Sequence, residues 1–164
     1  MRQQAVDMQS LVADTRAMLD SNLQAEAESS GHAHQVEWSI APLPIVVADE
    51  NMIRQVWLNL LGNAVKYSGN REPARIRVDC QQQPDGGHQF TVSDNGAGFD
   101  MAYAGKLFGV FQRLHKASDY PGTGIGLASV RRVLTRHGGR IWAEAEPDVG
   151  ATFHFLSLIH ISEP

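Results

Sequence analysis

Between residues 50 and 68, apolar side chains fall at Ile53, Val56, Trp57, Leu60, Leu61 and Ala64, the three-and-four spacing of one helix face at about 100° per residue. Asn59, Asn63, Lys66 and Tyr67 recur at steps of four, three and one, so they share a second face beside the apolar one. Asparagine competes with the helical backbone for hydrogen bonds. Two of them one turn apart are therefore either the polar margin of a buried helix or side chains kept for what they bind. Asp49 is placed to cap this helix. Earlier in the chain, Asp7 can cap a helix whose buried face is Met8, Leu11, Val12, Thr15, Met18, Leu19 and Leu23, fading through residues 26–31.

Alternation of apolar and polar positions predicts strands over 36–40, 45–48, 76–80, 89–93, 140–144 and 151–155. Pro42 and Pro44 separate the first pair, and Pro84-Asp85-Gly86-Gly87 turns the second into a hairpin. A third helix runs from Ile125 to Arg136, with Leu127, Val130, Val133 and Leu134 inward and His137-Gly138-Gly139 as its stop. Strands before and between helices predict an α/β domain with a mixed sheet and helices on one face. Residues 94–126 depart from both periods. They open on Asp94-Asn95-Gly96-Ala97-Gly98-Phe99 and close on Gly122-Thr123-Gly124-Ile125-Gly126-Leu127. Either glycine cluster alone reads as a turn; two of them bracketing one long loop, each joined to a strand end or a helix start, read as a functional segment.

Composition narrows the function classes. With 164 residues and a net charge of −4, the chain has about one domain's length and no basic field for nucleic acid. Cys80 is the single cysteine, which excludes an internal disulfide framework and a cysteine-based zinc site. The seven histidines form no metal-ligand pattern. No apolar run nears the ~20 residues that span a bilayer, and the N-terminus lacks the layout of a signal peptide, so a cytoplasmic location without membrane insertion is expected. Residues 156–164 match the translation of a sequencing-library adapter, and the native domain is expected to be 1–155.

Taken together, these residues resemble the catalytic, ATP-binding domain of bacterial sensor histidine kinases, in the GHKL ATPase superfamily. The N box resembles Gln55-x-x-x-Asn59-Leu60-Leu61-x-Asn63-Ala64-x-Lys66-Tyr67, the G1 box Asp94-x-Gly96-x-Gly98, the F box Phe108-x-x-Phe111-x-Arg113, and the G2 box Gly122 to Leu127. Phe111 to His115 and His137 to Trp142 are similar to phytochrome-type and related sensors. The implied fold is an α+β sandwich, a mixed and mostly antiparallel sheet with helices on one face and a long ATP lid between Phe99 and Thr123. The implied cofactors are ATP and Mg²⁺. Resemblance places Asp94 at the adenine amino group, Tyr67 against adenine, Asn63 on Mg²⁺ and Lys66 at the phosphates. It implies that the backbone of Gly122, Thr123, Gly124, Ile125, Gly126 and Leu127 approaches the phosphates at a helix start. Gly96 and Gly98 shape the adenine side, Arg113 stands near the γ-phosphate, and Thr152 is implied as the last adenine-side residue. Asn59, Lys66 and Arg113 are the implied catalytic set.

Two departures bound the expected reaction. Hydrolysing relatives carry a water-activating glutamate one turn before the Mg²⁺ ligand; here that position is Asn59, and an amide is no general base. None of the histidines is followed by an acidic residue, as the family's phosphoacceptor is. The expected activity is therefore transfer of the γ-phosphoryl group to a histidine on a separate dimerisation domain, and onward to a response regulator. An anti-sigma-type serine kinase and a non-catalytic nucleotide-binding module are the alternatives.

Overall fold

The computed structural model describes residues 2–31, 35–69, 71–102 and 126–157. In chain order the elements are β1 (Gln4–Asp7), α1 (Met8–Ser30), β2 (Val36–Ile40), β3 (Ile45–Ala48), α2 (Glu50–Tyr67), β4 (Ala74–Gln82), β5 (His88–Asp94), α3 (Gly126–Arg136), β6 (Arg140–Glu146) and β7 (Gly150–Ser157). A five-stranded sheet has the order β2-β4-β5-β7-β6, and β1 pairs with β3 in a separate two-stranded sheet. Only β2 and β4 run parallel; β4-β5, β5-β7 and β7-β6 are antiparallel. This is the mixed, mostly antiparallel α+β sandwich that the sequence pattern and the resemblance predict.

The periodicities explain the layers. Along β4, Ala74, Ile76 and Val78 are buried while Arg75 and Arg77 are exposed, so one face of the sheet is apolar and the other faces water. Helix α2 lays Ile53, Val56, Trp57, Leu60, Leu61 and Ala64 on the apolar face, the six residues that the pattern singles out. Trp57 is wholly buried at the centre, with its ring centroid 5.7 Å from Phe90 and 5.2 Å from Phe155. Both expected caps form. Asp7 accepts from the N–H groups of Gln9 and Ser10, and Asp49 from that of Met52.

Four expectations about elements need correction. The N-terminal segment contributes β1, whose four residues are too few to show a period. Helix α1 does not fade after residue 26; it runs to Ser30 and stops at Gly31, held in the left-handed region at φ 74°. Its predicted buried face is half right: Met8, Leu11, Val12 and Thr15 are buried, Leu19 and Leu23 are partly so, and Met18 is 43% exposed. Beyond Thr15 no residue of the helix is fully buried, and Leu19 and Leu23 only border the core. Strand β7 takes in Leu156 and Ser157, two residues past the expected boundary, pairing Leu156 with Arg140 and Gln89.

Candidate nucleotide site

The site begins at the C-terminal end of β5. Asp94 is the last residue of that strand and pairs with Ile76 and Ala151, so its side chain falls on the helix side of the sheet. Its carboxylate accepts a 2.8 Å bond from the backbone N–H of Gly96. Burial pushes the carboxyl up from 3.8 to about 6, against the pull of the backbone N–H groups of Gly96 and Ala151. A desolvated carboxylate beside a cavity is a costly arrangement, and such groups cluster where they serve a ligand.

The cavity beside it is lined by Asn63, Tyr67, Asp94, Gly98, Phe99, Leu127, Ala151 and Phe153. Helix α2 thus supplies an amide and an aromatic, β5 the carboxylate, the start of α3 Leu127, and β7 Ala151 and Phe153. Phe99 and Phe153 pack with ring centroids 6.3 Å apart. On the same flank of α2, Asn59 is half-buried one turn before Asn63, and the Lys66 ammonium sits 4.9 Å from the centroid of the Tyr67 ring.

The two glycines after Asp94 are required by close packing. A Cβ at Gly96 would lie 2.3 Å from the carbonyl oxygen of Tyr67 and 2.9 Å from Asp94 Oδ1. Gly98 has φ +62°, and a Cβ there would lie 2.1 Å from the Glu146 carbonyl oxygen. The loop is further tied by Ala97 N–H donating to Tyr67 and Asp148 N–H donating to Ala97. Asn95, between Asp94 and Gly96, is a brace: its Oδ1 accepts from Arg75 N–H and its Nδ2 donates to the Pro73 carbonyl.

Of the expected site residues, the structure brings Asn63, Tyr67, Asp94, Gly98 and Leu127 around one cavity, with Gly96 beneath Asp94 and Asn59 and Lys66 on the adjoining flank. Gly126 opens α3. Arg113, Gly122, Thr123, Gly124 and Ile125, the F box and most of the expected lid lie outside the described residues. Thr152 requires correction. It pairs with Ser93, their hydroxyl oxygens 3.2 Å apart on the open face of the sheet, whereas its neighbours Ala151 and Phe153 face the cavity. Strand alternation excludes its side chain from Asp94's side. Counting along the register from Asp94 points to Ala151 and Phe153, whereas the resemblance points to the residue between them.

Residues 48–160, more than half of the chain, match the family described as histidine kinase-, DNA gyrase B- and HSP90-like ATPase. The chain belongs to this family. Among curated proteins it is 38% identical over 135 residues to the phytochrome-like protein Cph1 of Synechocystis sp., covering 82% of this chain and 17% of that protein. It is 40% identical over 118 residues to the adaptive-response sensory kinase SasA of Thermosynechococcus vestitus, covering 72% of this chain and 30% of that one. The chain therefore spans less than a third of the length of these relatives. The fold of a mycobacterial sensor histidine kinase, MprB, superposes with a TM-score of 0.79 at 24% identity, covering 97% of this chain and all of the other. Full-length ShkA, solved in complex with AMPPNP, matches at TM-score 0.79 and 25% identity over 100% of this chain and 32% of that one. This ATPase family, on its sensor-kinase side, is the one the ordered boxes imply, and ATP binding comes with it.

Proposed function

We propose that this domain binds Mg²⁺-ATP and hands the γ-phosphoryl group to a histidine on a separate dimerisation domain, as the ATP half of a two-component sensor kinase. The observation that carries the reading is the shared cavity of Asn63, Tyr67 and Asp94. One side chain suits the base, one its face, and one the metal-bearing end.

Asp94 accepts a hydrogen bond from the adenine amino group, and a buried acceptor left unpaired by other bases gives strong discrimination. Tyr67, Phe99, Leu127, Ala151 and Phe153 supply apolar contact. Asn63 contributes a neutral, hard amide oxygen. This fits Mg²⁺, which keeps phosphate oxygens and waters as its other ligands and needs little from the protein. When bound, the ion neutralises charge on the phosphates. Lys66 adds a positive charge at the same end. Arg113 and the backbone of Gly122 to Leu127 complete the phosphate site in this reading, with the N-terminus of α3 favouring an anion.

Asn59 determines which nucleophile succeeds. An amide takes no proton from water, so hydrolysis is slow. A neutral imidazole nitrogen is already nucleophilic and needs no base from this domain. The γ-phosphoryl bond to the β-phosphate oxygen breaks as the bond to the histidine nitrogen forms, and ADP leaves. Labelled ATP offered in trans with a dimerisation domain and, separately, with a serine-bearing acceptor of the anti-sigma type tests the reading: acid-labile, alkali-stable label on the dimerisation domain is expected. Acid-stable label would support a serine kinase, and absence of label at high acceptor concentration a non-catalytic module.

A further inference from the structure

Arg71 lies in the connection between α2 and β4, outside every box that carries the resemblance, and does not line the cavity. Its guanidinium is nonetheless spent on the two backbone segments that frame Asp94. Nε donates to the Asn95 carbonyl at 2.7 Å, and Nη2 donates to the carbonyls of Gly96 at 3.2 Å and Asp148 at 2.5 Å. Asn95 and Gly96 follow Asp94 directly; Asp148 lies in the β6–β7 turn, two residues before Gly150 and three before Ala151. That turn presses on the strand end, since a Cβ at Gly150 would lie 2.1 Å from the Asp94 carbonyl oxygen.

We propose that Arg71 is a positioning residue for base recognition: it clamps the loop after Asp94 to the β6–β7 turn and so fixes the carboxylate where adenine is read. This rests on the nucleotide-binding reading above. The chemistry requires an arginine. Three carbonyls on two segments need several donors held in one plane, which a guanidinium provides and a lysine ammonium, a single point on a flexible stem, does not. With the clamp gone, the Asp148 N–H to Ala97 carbonyl bond still ties the two segments, but at one point only on each. The Gly96 N–H that holds Asp94 would then ride on a looser loop.

The test compares the unaltered chain with Arg71→Lys and Arg71→Ala, titrated calorimetrically with adenosine, ADP, ATP and GTP well below each protein's melting midpoint. Because Arg71 acts at the base and not at the phosphates, both variants are expected to weaken adenosine, ADP and ATP by the same factor, on the order of tenfold, and to narrow the preference for ATP over GTP. A purely structural arginine would lower the melting midpoint yet leave affinities and the ATP-to-GTP ratio unchanged, which overturns the proposal. A loss that grows with the number of phosphates also overturns it, by placing Arg71 at the other end of the nucleotide. If Arg71→Ala does not fold, Arg71→Lys, which keeps the charge, carries the test alone. Failure of the unaltered chain to prefer ATP over GTP would sink the binding reading itself, and is thereby distinct from variants that merely match it.

Discussion

Burial raises the Asp94 carboxyl, and that shift makes predictions. With its carboxyl raised to about 6 in the folded protein and an ordinary value of 3.8, the native state holds one more proton than the unfolded state between those values. Stability without nucleotide is therefore highest below the ordinary value, falls as pH rises through about 6, and levels off above. Nucleotide binding runs the other way, because the ionised carboxylate is the better acceptor for adenine. ATP affinity is expected to drop about tenfold between pH 7 and pH 5, and Asp94→Asn should abolish measurable binding while the fold persists. Calorimetry across pH reads both; a flat profile would remove the carboxylate from the base site. The reassignment on β7 is equally testable. Thr152→Val, which loses only the Ser93 contact on the open face, should leave ATP affinity unchanged. Ala151→Leu, which fills the cavity beside Asp94, should block binding. The opposite pattern would restore Thr152 to the site. Asp94, Asn63 and Tyr67 were legible in the sequence because side-chain chemistry at motif spacing marks them. Arg71 was not, since its role depends on three carbonyls brought together by folding.

Among the elements, α2 was the most legible because its apolar and polar faces repeat over five turns' length and it is capped at Asp49. Strands β4 to β7 followed from alternation and their turns. Pattern was weakest where an element is short or leaves the core: β1 is four residues long, and α1 keeps helical spacing well past Thr15, its last fully buried residue. Stability should divide α1 accordingly. Leu11→Ala, at a position 2% exposed, should cost about 2–5 kcal/mol, whereas Met18→Ala should cost less than about 0.5 kcal/mol. Urea unfolding reads both, and equal losses would contradict a helix in which Leu11 is in the core and Met18 faces water. One tie between elements was invisible in the sequence. His137 reads there as part of a helix stop, yet it is 1% exposed and its Nε2 accepts the Asp49 backbone N–H at 3.0 Å while Nδ1 lies 2.8 Å from the Val133 carbonyl. The end of α3 is thereby fastened to the start of α2, the helix bearing Asn63 and Tyr67.

At the scale of the whole molecule, the helices and sheet make a frame that gathers a buried carboxylate, an apolar wall and an amide at a single cavity; in the proposed reading the carboxylate meets the base, the amide meets the metal, and the phosphoryl acceptor comes from another domain. None of the described helices is long and apolar enough to cross a membrane. The decisive property is the choice of nucleophile. With Asn59 in place of a general base, ATP bound here should survive in water and react with a histidine. The most direct measurement is a single-turnover experiment with γ-labelled ATP and Mg²⁺, run with and without a matching dimerisation domain, in which free phosphate and protein-bound label are followed together. The account predicts slow phosphate release from the chain alone, and rapid appearance of acid-labile label on the added domain. Rapid release of phosphate by the chain alone, unaffected by the acceptor, would contradict it.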